Sequence, residues 1–172
     1  MQKIQAMNHL SCQLEIEIGQ LLRTHKMTIA TAESCTGGNI AALLAKHPGS
    51  SEFFTGSVVA YCNKIKHNVL GVSEETLNLQ GAVSQETVEQ MAKGVIELMK
   101  TDIGIAVSGI AGPTGGSAEK PVGTVWIAVA NQQKVLAKKL NLTPFREQNI
   151  QQSTQEALLL ARDFLLAEYA SI

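Results

Sequence analysis

The residues of this sequence best suited to covalent chemistry lie together in one short polar turn, Glu33-Ser34-Cys35-Thr36-Gly37-Gly38. It follows a β-rich run, Met27 to Ala32, and precedes a helical stretch, Asn39 to Lys46, so the three form a strand, tight turn, helix unit. A serine hydroxyl at a strand exit can project into a cleft, but it becomes a nucleophile only where a neighbouring base removes its proton. The four histidines, His9, His25, His47 and His67, fall in helical or loop contexts with no acidic partner in recognisable spacing, which leaves a Ser-His-Asp triad without support. Lysine can replace histidine in this role, because burial disfavours the charged amine and draws its pKa down from about 10.4 toward neutrality. Lys64 and Lys66 follow the apolar stretch ending in Tyr61 and are the candidates, although either also suits a solvated strand-to-helix junction. Tyr61 itself reads as a core residue whose hydroxyl reaches the surface. Cys35 is the competing nucleophile; without a thiolate-stabilising environment it is a small buried hydrophobe.

Gly37 and Gly38 open a helix directly after a strand, where backbone N–H groups can approach an anion, phosphate being the natural one. The segment lacks the lysine and spacing of a P-loop, and it equally fits a tight turn with Ser34 or Thr36 as helix N-cap. A second glycine-rich stretch, Gly109 to Gly123, contains Pro113 and Pro121 and follows the strand candidate Ile103 to Val107. Long ordered loops usually carry function. Ser108 at its start could donate to an oxyanion or relay a proton, or could be an ordinary turn serine.

Several elements must position these residues. Leu10, Leu14, Ile18, Leu21 and Leu22 recur at helical spacing and predict an amphipathic helix ending near Arg23 to Lys26. After Pro48-Gly49-Ser50-Ser51, the run Phe53 to Asn63 reads as a strand centred on Val58-Val59-Ala60-Tyr61. Ser84 is a candidate N-cap for a helix with Glu86 in its first turn and Val88, Met91, Ala92, Val95, Ile96 and Met99 on one face. Val125 to Ala130 and Val135 to Leu140 form a predicted hairpin, and Ile150, Thr154, Ala157, Leu158, Ala161 and Leu165 mark a closing helix. The economical architecture is one α/β domain over 1–172, a three-layer α/β/α sandwich with a mixed, mostly parallel sheet. Both glycine-rich segments then emerge beyond the carboxyl ends of strands, where such sheets bind ligands.

The chain has 172 residues, 45% hydrophobic and 17% charged, with a net charge of −1 from interspersed acids and bases. That balance offers no footprint for nucleic acid or a membrane surface. The acids within the N-terminal apolar pattern argue against a signal peptide, and no apolar run reaches membrane-spanning length. Cys12, Cys35 and Cys62 lack paired metal or redox spacing, and they read as reduced thiols of a cytoplasmic protein.

Taken in order, four segments resemble the C-terminal domain of the CinA family: Ala32-Glu33-Ser34-Cys35-Thr36-Gly37-Gly38; Pro48-Gly49-Ser50-Ser51; Gly81-Ala82-Val83-Ser84; and Ser108-Gly109-Ile110-Ala111-Gly112-Pro113 running on through Gly115-Gly116-Ser117 to Glu119-Lys120-Pro121-Val122-Gly123-Thr124. The resemblance covers nearly the whole chain. It implies a nicotinamide-nucleotide amidase, which hydrolyses nicotinamide mononucleotide to nicotinic acid mononucleotide and ammonia, with Ser34 as nucleophile. The family's Tyr-Ser-Asn-Glu-Ala-Lys motif reads Tyr61-Cys62-Asn63-Lys64-Ile65-Lys66 here, which makes Lys66 the base, with Tyr61 and Ser108 assisting. Expected substrate contacts are Glu33, Cys35, Thr36, Gly37, Gly38, Asn63, Gly109, Gly112, Gly115, Gly116 and Arg146. No metal or cofactor is implied, and family habit suggests a homodimer or larger homo-oligomer. Lys64 stands where the family usually has glutamate, Cys62 where it has serine, and Gln151 where a second arginine is expected. These departures raise the alternative of a non-catalytic paralogue that binds a nucleotide or regulates.

Overall fold

The computed structural model describes residues 14–169. The expected first helix is present as α1 over residues 14–24; its proposed start, with Leu10 and Cys12, lies outside the described residues. There follow β1 (Ile29–Glu33), α2 (Asn39–Leu44), a 3-10 turn (Ser50–Glu52), β2 (Phe54–Val59), α3 (Asn63–Asn68), α4 (Glu74–Leu79), α5 (Gln85–Met99), β3 (Ile103–Gly109), β4 (Thr124–Ala130), β5 (Val135–Asn141) and α6 (Arg146–Tyr169). The strands form one five-stranded sheet in the order β2-β1-β3-β4-β5. β1 is parallel to both its neighbours, β2 and β3, whereas β4 runs antiparallel to β3 and β5. The sheet is therefore mixed, with β4 alone reversed.

Because successive side chains on a strand point to opposite faces, each strand feeds two separate cores. Ile103, Ile105 and Val107 of β3 pack with Leu14, Ile18 and Leu22 of α1, with Ile40 and Leu44 of α2, and with Leu158 and Phe164 of α6. On the other face, Ala30, Ala32, Ala106, Ala128 and Ala130 pack against Val88, Met91, Val95 and Ile96 of α5. This face is lined by small residues because the α5 backbone comes very close to it: a Cβ on Gly104 would stand 2.3 Å from the Ala92 carbonyl oxygen. The N-terminus of α5 is capped as the sequence predicts, Ser84 Oγ accepting from the Thr87 N–H at 3.2 Å.

The predicted strand Phe53 to Asn63 is shorter than expected. β2 ends at Val59, and the backbone turns at Cys62 into α3. The chain keeps its strand-like course a residue further only through Ala60 N–H, which donates to the Glu33 carbonyl at 2.7 Å. Lys66 consequently lies on a helix, not at the end of a strand. Helices α3 and α4 have six residues each, too short for an apolar period to repeat. Among the described residues no helix is long and apolar enough to cross a membrane.

Candidate active site

Ser34 follows the last residue of β1, and its N–H continues the pairing with β3 by donating to the Val107 carbonyl at 3.0 Å. This fixes the serine at the carboxyl edge of the sheet. Across the edge, α3 carries Lys66 inward, so that its Nζ lies 3.0 Å from Ser34 Oγ and 2.7 Å from the Ala60 carbonyl oxygen. Lys66 is only 1% exposed, Ser34 8%. Among the described residues no carboxylate lies within ion-pairing distance of that amine. Burial, the largest influence, therefore lowers its pKa below the ordinary lysine value, against a smaller opposing effect of Cys35 and Cys62. In its neutral form the amine can donate to Ala60 and accept from the serine hydroxyl.

Cys35 adjoins Ser34 but is placed for packing, being 7% exposed and part of the core on the α2 side of the sheet. Burial pushes its thiol up to about 12, against the opposing effect of its own backbone N–H and of the nearby Lys66 and Arg146 side chains. At neutral pH the group is a thiol, inert as a nucleophile and unable to hold a proton on Lys66 by charge. Iodoacetamide is therefore expected to modify the exposed Cys62 and to leave Cys35 unmodified in the folded protein, as read by peptide mass spectrometry. Rapid labelling of Cys35 at neutral pH would restore it as the candidate nucleophile.

Glu33 does not contact the cleft. It is 0% exposed, and its carboxylate turns under the chain to accept from the N–H groups of Gly38 (3.0 Å), Ile40 (3.1 Å) and Ala41 (2.8 Å) and from the Thr36 hydroxyl (2.6 Å). The sequence reading of Glu33 as a substrate contact is corrected on this ground. So is the reading of the α2 N-terminus as a phosphate site, since the donors an anion would use already face a carboxylate. Neither Ser34 nor Thr36 caps α2. Gly38 occupies the cap position with φ 102°, after Gly37 at φ 63°, and this left-handed pair is what the glycines supply.

Ser34, Tyr61, Asn63, Lys66, Ser108 and Arg146 line one cleft of about 200 Å³, together with Cys35, Gly109 and Ala111. The Ser108 hydroxyl is turned aside and donates to the Ala82 carbonyl at 2.7 Å, which ties down the 81–84 segment. Gly115 and Gly116 are exposed and contribute nothing to the cleft lining. Arg146 bridges its rim, donating to the Gly112 carbonyl (2.9 Å) and the Tyr61 hydroxyl (3.0 Å). Asn149, one turn further along α6, is wholly buried and donates to the carbonyls of Ala111 (2.9 Å) and Thr143 (2.8 Å), fixing the loop after β3 against the helix start. Sequence reasoning missed Asn149, Ala82 and Val83. The last two belong to the Gly81-Ala82-Val83-Ser84 segment, so a signal was present; an asparagine inside a helical pattern gives none.

Fold and cleft together define a mixed α/β domain with a buried lysine set against a buried serine. The chain belongs to the CinA C-terminal domain family, which matches residues 11–165. It is 52% identical over 149 residues to a CinA-like protein of Cytophaga hutchinsonii, covering 87% of this chain and 36% of that protein. It is 50% identical over 142 residues to a putative competence-damage inducible protein of Halothermothrix orenii, covering 82% and 34%. The chain thus spans about a third of the length of these curated relatives. The solved competence damage-inducible protein A from Klebsiella pneumoniae superposes with a TM-score of 0.88 at 36% identity, over 92% of this chain and 98% of that one. Competence/damage inducible protein CihA from Agrobacterium tumefaciens gives 0.85 at 38%, over 89% and 95%.

Proposed function

We propose that this domain is a serine–lysine amidohydrolase acting on nicotinamide mononucleotide, with nicotinic acid mononucleotide and ammonia as products. The observation that carries this reading is the 3.0 Å contact between Lys66 Nζ and Ser34 Oγ, both buried and, among the described residues, without a counter-ion. As Ser34 Oγ attacks the carboxamide carbon, its proton passes to Lys66 Nζ. The oxyanion that forms is held by the N–H groups of Cys35 and Thr36, which lie directly after the nucleophile. Lys66 returns the proton to the departing nitrogen, ammonia leaves, and a water deprotonated by Lys66 releases the acid. With the α2 N-terminus closed by Glu33, the substrate phosphate falls to the exposed guanidinium of Arg146 at the rim.

Lys64 and Gln151, two of the departures from the family pattern, are exposed and outside the cleft lining. They leave the Ser34–Lys66 pair undisturbed, which favours turnover over binding alone. The test is release of ammonia and nicotinic acid mononucleotide from nicotinamide mononucleotide by the purified chain, with Ser34→Ala alongside. Release by the wild type that disappears in the variant is the expected result. Equal release by both would reject the serine mechanism, and tight nucleotide binding with no turnover would reject the amidase.

A further inference from the structure

The cleft is built on a turn whose two ends are held by one residue that never touches it. Glu33 enters through its backbone as the last residue of β1, and its carboxylate grips the start of α2 at the N–H groups of Gly38, Ile40 and Ala41. Between those two anchors lie Ser34, with the nucleophilic oxygen, and the N–H groups of Cys35 and Thr36. The Thr36 hydroxyl is drawn to the same carboxylate at 2.6 Å, and Thr31 Oγ1 lies 3.2 Å from its other oxygen and 2.7 Å from Ser57 Oγ on β2. A carboxylate offers about four lone-pair sites, and each here has a donor. Glu33 therefore has no capacity left for a substrate, for a proton in transit, or for pairing with Lys66.

The usual α2 N-cap is missing: Gly38 has no side chain to cap with, and the helix is six residues long, so it could not hold itself in place by its own hydrogen bonds. We infer that Glu33 is a positioning residue for catalysis, its internal carboxylate fixing the 34–37 turn so that Ser34 Oγ and the Cys35 and Thr36 N–H groups meet one reacting carbonyl. This rests on the serine–lysine reading of the cleft. Loss of the grip misplaces the nucleophile and both N–H groups together, while Arg146 and the rest of the cleft, anchored on α6 and β3, continue to bind. The effect belongs in kcat rather than KM.

The experiment uses Glu33→Gln, which puts an amide NH2 among donors, and Thr36→Val, which keeps shape and backbone N–H but removes one donor to the carboxylate. Each is checked for native circular dichroism, then measured for ammonia release and, independently, for the rate at which a fluorophosphonate labels Ser34. For Glu33→Gln a kcat loss on the order of 100-fold is expected, with a smaller loss for Thr36→Val, KM near wild type in both, and labelling slowed in parallel. Folded Glu33→Gln with kcat and labelling near wild type overturns the inference, as does a loss confined to KM; should that variant not fold, Thr36→Val decides on the same criteria. If the wild type releases no ammonia, the amidase reading fails, and the labelling rates alone judge Glu33. A wild-type Ser34 that the reagent does not touch overturns both.

Discussion

Ser34→Ala and Lys66→Met are each expected to lower kcat for ammonia release by about three orders of magnitude or more, and the double variant by no more than either alone. The two groups share one proton over 3.0 Å, so removing either partner removes the whole step. Additive losses in the double variant would show that they act separately. The two substitutions should part company in stability. Lys66 is buried with no carboxylate partner among the described residues, a costly arrangement, and methionine fills the space without an amine. Lys66→Met is expected to raise stability by about 1–3 kcal/mol at neutral pH, read from denaturant midpoints. The pH dependence has a definite sign. Because the folded-state pKa is lowered, the penalty is fully present below that value, and wild-type stability climbs as pH rises from it toward the ordinary lysine value. The variant's advantage should therefore be largest at low pH and vanish above the ordinary lysine range. The same titration places the acidic limb of the wild-type kcat/KM profile below the lysine range, since the base works only when neutral.

The second large effect is structural. Gly94→Ala should destabilise the fold by about 3 kcal/mol, a fall in melting temperature on the order of 10 °C. Helix propensity alone favours alanine by about 1 kcal/mol, so propensity and packing predict opposite signs. Packing wins because the new Cβ would stand 1.8 Å from the Leu70 carbonyl oxygen, a backbone atom that cannot rotate away. Leu70 follows α3, whose end is tied by the Val72 N–H to the Lys66 carbonyl at 3.0 Å. Moving α3 moves Lys66, and ammonia release should fall with stability. An unchanged or raised melting temperature would show that α3 and α5 can separate freely.

Much of this architecture was legible in the sequence where a period could repeat or a cap could announce itself. The helix after Ser84, the hairpin from Val125 to Leu140, the alternation of elements and the turn after β1 all follow from local signals. Helices α3 and α4 did not, because six residues hold less than two helical turns and the apolar stretch into Tyr61 extends the strand pattern past its end. The serine and the lysine were legible as types, but choosing Lys66 over Lys64 needed the family motif, since burial depends on how α3 packs. Glu33 was misread for a related reason. A residue between an apolar strand and a glycine turn looks solvent-facing, and only the path of α2 brings its N–H groups beneath it. Asn149 was invisible because its partners, Ala111 and Thr143, are brought to it by tertiary structure alone.

The contrast between the two sides of the sheet constrains how sequences of this kind can drift. Where Ile103, Ile105 and Val107 meet α1, α2 and α6, neighbouring aliphatics can exchange volume with one another, and a lineage can wander through many combinations. Opposite α5, Gly104 has no bulk to trade, because an added carbon there meets the Ala92 carbonyl oxygen and the Val95 and Ile96 side chains. That position is a ratchet: a glycine has no side chain left to remove and no space in which to gain one, and the helix that buttresses the lysine-bearing segment is thereby kept in place.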